Sequence, residues 1–202
     1  RMKIHLNAEV RELIVEGWRS SGVALADGSV HRADLVVSNA DVAHTYADLI
    51  DSRHRRRYTD RRLRSLRYSM SLVVLYLGTK RAYHDPGMVR HNIIFGRRYR
   101  GLLDDIFTHK RVAEDFSLYV HMPSRDEPDV APPGCDAFYV LSPVPNLASP
   151  ADWRTLARPY RDALVRFLEE RFMPDLSKNI VVERMMDPRD YQRQQNSYLG
   201  AA

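Results

Sequence analysis

One cysteine, Cys135, in 202 residues excludes an internal disulfide framework and fits a reducing compartment. It follows Pro132-Pro133-Gly134, and nothing near it in the sequence would lower its pKa, so it reads as a loop or packing residue rather than a nucleophile. Long apolar runs are missing too. The longest uncharged apolar run, Tyr68 to Thr79, is well short of the ~20 residues needed to cross a bilayer. No basic-then-apolar leader with a small-residue cleavage site opens the sequence, so a cytoplasmic setting is expected. The short catalytic signatures are absent: no G-x-S-x-G elbow, no G-x-x-x-x-G-K-[ST] loop and no G-x-G-x-x-G fingerprint. None of the eight histidines forms an H-x-x-x-H or similar pair, so no metal site is expected. His121 stays open between a half-exposed strand residue and an acid/base group. Asp104 and Asp105 are adjacent and cannot share a helix face, which points to a solvated turn rather than a carboxylate dyad. Catalysis by the chain's own side chains therefore has little support.

The composition that remains is globular: 44% hydrophobic and 28% charged residues exclude a disordered chain. The length suits one large domain or parts of two. A net charge of +5 and a pI near 9.4 favour an anionic partner. The basic residues gather in Arg53-His54-Arg55-Arg56-Arg57 and Arg61-Arg62-Leu63-Arg64. These read either as a solvated helix face or as contacts to an acidic lipid surface, with Arg53, Arg55, Arg56 and Arg57 foremost. Nucleic acid is not expected, since no helix-turn-helix, zinc finger or aromatic RNA-binding signature accompanies them.

The stretch Ala33 to Asp41 organises the reading. Leu35-Val36-Val37 is a continuous apolar run, as in a strand buried on both faces, and Ser38-Asn39-Ala40-Asp41 ends it with small polar residues. Such a strand end is where an α/β sheet opens onto a ligand. Before it, Lys3 to Leu13, Leu13 to Gly17 and Gly22 to Leu25 read as a small antiparallel meander, with Asp27-Gly28 as a tight turn. After it, Asp41 caps a helix to Leu49, and Thr59-Asp60 caps another through Leu66. Ser69 to Leu77 is apolar on both sides and should be a central strand. Asn92 to Phe95, Phe116 to Met122, Phe138 to Leu141 and Asn179 to Val182 are further strands, the third closed by Pro143 and Pro145. Gly101 to Phe107 is a short helix with Leu102, Leu103, Ile106 and Phe107 inward. Ser149-Pro150-Ala151-Asp152, with Ser149 as the cap, starts a long helix that Pro159 should kink or split. Asp187-Pro188 opens a last polar helix through Gln195. A sheet apolar on both faces needs cover on both, or a greasy ligand against one.

Several phrases resemble the bacterial-type phytoene desaturases. They are Ala33 to Val42, Leu66-Arg67-Tyr68-Ser69-Met70-Ser71, His91-Asn92-Ile93-Ile94-Phe95-Gly96, Asp115 to Pro123, Ala131 to Cys135, Phe138 to Pro145, and Asn196 to Ala202. The resemblance implies a flavin amine oxidase-like fold: part of a Rossmann-like FAD domain, a β-meander and a strand, plus a mixed or antiparallel-sheet substrate domain with helices. It places residues 1–45 in the FAD domain, 46–195 in the substrate (carotenoid) domain, and 196–202 back in the FAD domain. It implies FAD as cofactor, near Val10, Ser38, Asn39 and Ala40. It also implies a polyene substrate, phytoene, desaturated towards neurosporene or lycopene in an apolar tunnel lined by Met70, Leu72, Val74, Tyr76, Phe116, Leu118 and Phe138. Quinone or oxygen would take the electrons, and the protein would sit peripherally on an anionic membrane. The family's glycine-rich fingerprint and C-terminal flavin-proximal motif have no counterpart here. The chain is therefore expected to be an internal fragment that neither retains FAD nor turns over alone. Two other readings stay open: another flavin oxidoreductase of the same fold, and a non-catalytic lipid-binding or interaction domain.

Overall fold

The computed structural model describes residues 2–84 and 87–202; Arg1, where the first expected segment begins, lies outside them. The chain divides into two compact units. One comprises 1–67 and 196–198, the other 68–195 and 199–202. Residues 46–67 thus group with the first unit, later than the boundary expected after residue 45.

The first unit is built on a three-stranded antiparallel meander: β1 (Val10–Glu16), β2 (Arg19–Leu25) and β3 (Val30–Arg32). The Asp27-Gly28 turn forms as expected, with the Asp27 carboxylate accepting the Ser29 amide at 2.8 Å and Gly28 at φ +86°. A second turn, Gly17-Trp18, closes β1 onto β2 with both residues in the left-handed region (φ 54° and 67°). Two expectations fail. Residues 3–9 join no strand, and Met2, Ile4 and Leu6 stand exposed. The run Leu35-Val36-Val37 is not a strand: β3 ends at Arg32, and Leu35 and Val37 are 76% and 83% exposed. Both segments carry apolar residues, but the described residues offer neither a neighbouring strand, and the first turns at Asn7, whose φ is +55°. A ladder needs a partner, whatever the propensity of its residues.

Asp41 does cap the next helix, its carboxylate accepting the Ala43 and His44 amides at 2.8 and 2.9 Å. That helix, α1 (Val42–His44), widens into one π-type turn over Thr45–Leu49. Thr59 caps α2 (Asp60–Ser65). Leu13, Ala43, Leu49 and Leu63 form the small buried set of this unit.

The second unit is a five-stranded antiparallel sheet in the order β5-β6-β7-β4-β8. In chain order its elements are β4 (Ser71–Thr79), β5 (His91–Ile94), α3 (Tyr99–Phe107), β6 (Leu118–His121), β7 (Asp136–Val144), α4 (Trp153–Arg171), α5 (Leu176–Asn179), β8 (Ile180–Met186) and α6 (Pro188–Gln195). β4 is central, paired with β7 on one side and β8 on the other, as its two apolar faces required. One face carries Val73, Leu75, Leu77, Leu118, Val120, Phe138 and Val140 and packs under α4, where Trp153, Tyr160, Leu164, Val165 and Leu168 are buried.

Several local expectations are corrected. Pro143 lies inside β7, opposite Leu72, rather than closing it; β6 pairs only with 139–141, so β7 has one partner there and tolerates a missing donor. Asp152, not Ser149, caps α4. Pro159 does not split α4, which runs unbroken because the apolar residues before and after it are buried on the same face. In α3, Phe107 faces outward, whereas Asp105 is buried. Instead of lying in a solvated turn, Asp105 takes Arg98 Nη2 at 3.1 Å and Arg111 Nε at 2.7 Å. Burial pushes its pKa up, but those two guanidinium hydrogen bonds outweigh it and hold the carboxyl below its ordinary range.

Candidate functional site

The second face of the sheet is only partly covered. Directly opposed residues of neighbouring strands share a face, so the register can be read as rows running across the sheet. One row is Leu141, Val74 and Met186, capped by Tyr191 of α6. Burial there pushes the Tyr191 hydroxyl pKa up to about 12. The next row is His91, His121, Tyr139, Tyr76 and Arg184. The row beyond it is Ala137, Gly78 and Val182.

Past the cap of α6 this face is open. Tyr76 is 41% exposed, and a groove of about 630 Å³ runs over the Gly78 row. The rings of Tyr76 and Tyr139 meet edge to face at 5.3 Å on one side of it. Pro123, Val130, Ala131 and Pro132, from the loop between β6 and β7, wall the other side, and Cys135 also borders it. The surface is overwhelmingly apolar.

A buried clasp ties down this loop. The Asp136 carboxylate, fully buried, accepts the Ser124 hydroxyl at 2.7 Å and the Tyr83 amide at 2.6 Å, and it pairs with His84 Nε2 at 3.3 Å. Ser124 Oγ in turn accepts the Ala137 amide at 3.1 Å. A carboxylate taking both a backbone and a hydroxyl donor joins the two ends of the loop to the segment that follows β4.

His121 borders the groove and stacks on His91, the rings parallel to within 4° at 4.6 Å. Its Nε2 is buried without a partner. Burial first, and the nearby His91 second, push its pKa below the ordinary imidazole value. His91 instead meets the Tyr119 hydroxyl at 2.7 Å. No three His, Cys, Asp or Glu side chains converge on a metal-sized point among the described residues.

The expected tunnel residues divide between the two faces. Leu72, Val74 and Tyr76 share the open side, but α6 covers the first two and only Tyr76 borders the groove. Leu118 points into the α4 core. Phe138 does so as well, while contributing to the groove's margin. Phe116 packs edge-on against Tyr160 and Phe167 at 5.5 and 5.6 Å. Met70, half-buried, precedes β4. Gly78, Ala137, Tyr139 and Val182 were missed. Tyr139 and Ala137 alternate with apolar β7 residues and so were legible as one face, but which residues oppose them is a matter of register.

In the first unit, Val10 pairs with Leu25, and Ser38, Asn39 and Ala40 lie exposed, with Ser38 Oγ 2.9 Å from Thr45 Oγ1. These residues do not by themselves fit a dinucleotide. The helix N-terminus beside them spends its free amides on the Asp41 carboxylate, which places negative charge where a pyrophosphate would need donors. The four arginines also differ from one another. Arg55 is buried against Asp60 at 2.6 Å, and Arg56 lies over the Trp18 ring at 3.9 Å. Arg53 is exposed beside Asp51, and Arg57 is exposed.

No family model matches the chain. It is 45% identical over 199 residues to the phytoene desaturase (neurosporene-forming) of Cereibacter sphaeroides, covering 97% of this chain and 38% of that protein. It is 43% identical over 201 residues to the phytoene desaturase (lycopene-forming) of Pseudescherichia vulneris, covering 99% of this chain and 40% of that protein. Among solved structures, an oxidoreductase from Methanosarcina mazei matches with a TM-score of 0.60 at 19% identity, over 91% of this chain and 37% of that one. The resemblance to bacterial phytoene desaturases thus holds over nearly the whole chain, which spans about two-fifths of their length. The fold, mixed helices with antiparallel sheets, is shared with the oxidoreductase.

Proposed function

We propose that this chain supplies the substrate surface of an FAD-dependent desaturase that converts phytoene towards neurosporene or lycopene. The observation that carries the reading is the apolar groove on the open sheet face, in a chain 45% identical to a phytoene desaturase. A hydrocarbon offers no polar handle, so recognition must come from buried apolar area, at roughly 25 cal/mol per Å². Each new double bond needs a pair of hydrogens removed from one held segment of chain. Holding that segment and excluding water are tasks that Tyr76, Tyr139 and the proline-rich wall can perform. The flavin and its pyrophosphate clamp belong to polypeptide outside these residues, and quinone or oxygen would receive the electrons.

No helix of the described residues is long and apolar enough to cross a membrane. A substrate dissolved in lipid would then have to be reached from the surface, and the exposed Arg53 and Arg57 suit an anionic one. Arg55, paired and buried, is not available for that contact.

The test is to express the complete protein carrying this chain, add phytoene in liposomes, and identify the products by chromatography. Neurosporene or lycopene is expected. A flavin-loaded protein that leaves phytoene untouched, or oxidises an amine instead, would refute the assignment.

A further inference from the structure

Gly78 sits in the middle of the sheet, flanked by Ala137 on one side and Val182 on the other. Its backbone does not demand glycine, because its φ is not positive. Space is tight rather than closed: a Cβ at this position would stand 3.2 Å from the Cβ of the exposed Val182, which would have to give way by a few tenths of an ångström. Glycine within a central strand marks a bulge or a close approach of a ligand or another backbone; the β4–β8 register shifts between Gly78 and Thr79, and above this glycine lies the groove. Ala137, directly opposite, has the smallest side chain available.

The floor of this row is therefore low, while the adjoining row rises with the rings of Tyr76 and Tyr139. The far wall is fixed by the Ser124–Asp136–Ala137 clasp, so the trough cannot simply widen to suit a bulkier guest. It crosses β7, β4 and β8, and at about 4.8 Å between strands it spans roughly 10 Å. A trough of that span holds a section of a long chain, not a whole one. Its low floor and tall aromatic edge suit a slender, flat, unsaturated segment.

We propose that Gly78 and Ala137 are specificity-determining residues: together they set the bore of the groove, admitting a linear polyene segment and excluding chains that carry a ring. This inference rests on the reading of the groove as a substrate site, and it adds which positions choose the guest.

The test uses the complete protein carrying this chain, with cis-parinaric acid, a linear conjugated fatty acid, as fluorescent probe. Ala137→Phe should weaken probe binding about tenfold, as loss of two buried methylene contacts would. Gly78→Ala should weaken it less, and Ala137→Ser should leave it unchanged. Ile93→Phe, which places the same ring on exposed β5 outside the groove, should bind within about twofold of the parent. Thermal melts identify any variant that has lost its fold, and the milder Gly78→Ala then carries the test. Normal binding by folded Ala137→Phe, or equal loss in Ile93→Phe, would overturn the inference. If the parent binds the probe but does not desaturate phytoene, the assigned reaction fails and the role of these two residues stands.

Discussion

The two units use similar strand-like sequence to opposite effect. In the second, β4 finds β7 and β8 on its flanks and α4 beneath it, and Val73, Val74 and Leu75 vanish from solvent. In the first, Leu35 and Val37 belong to an equally apolar run, yet no strand among the described residues pairs with it. The difference is not propensity but company. A run of β-branched and aliphatic residues states that a strand wants burial on two sides; it does not carry the neighbours that provide it. Apolar segments left in the open mark surface that the longer relatives have chain enough to cover.

Mutations can break or sharpen this contrast. The largest effect belongs to the second unit: Leu164→Ala should cost about 2–5 kcal/mol in chemical denaturation, since it opens a cavity between α4 and the sheet. Next comes Gly22→Ala in the meander. Gly22 has φ +151°, and a Cβ there would stand 2.3 Å from the His31 carbonyl oxygen, so β2 and β3 must part; a loss of roughly 1–3 kcal/mol is expected, confined to the first unit. A smaller effect concerns acidity. His121 has a pKa below the exposed imidazole value of 6.5, so the unfolded chain binds protons more readily. Stability from this group is complete above that value and declines as pH falls through it. Melts at pH 7.5 and 5.5 should differ less for His121→Gln than for the parent, and an unchanged difference would deny His121 this role. Smallest of all, Leu35→Ser should alter stability by no more than about 0.5 kcal/mol in this chain, because little is buried there to lose. A large loss would mean that the run is covered after all.

Much of the second unit was legible in the residues. Period-two alternation located β4, β6 and β7, and the capping residues Asp41 and Thr59 were read correctly. What could not be read was pairing. The row that joins His91, His121, Tyr139, Tyr76 and Arg184 depends on five strands meeting in one register, which no single strand encodes. For the same reason the expected tunnel mixed two faces: Phe116, Leu118 and Phe138 are as apolar as Leu72, Val74 and Tyr76, and only the position of α4 tells the sets apart. Asp105 was misread because its two arginines come from seven residues before and six after, outside the span in which helical neighbours are judged.

The chain's two tryptophans fall on either side of the contrast. Trp153 is 1% exposed under the sheet, while Trp18 is 57% exposed at the tip of the β1–β2 hairpin. Indole emission lies to the blue in an apolar setting and to the red in water, so one spectrum carries a channel for each unit. Excited at one wavelength during unfolding, the blue side follows the sheet, while the red side sums Trp18 with whatever Trp153 has become solvated. Replacing either ring with phenylalanine isolates the other signal and shows whether the halves melt as one body or as two.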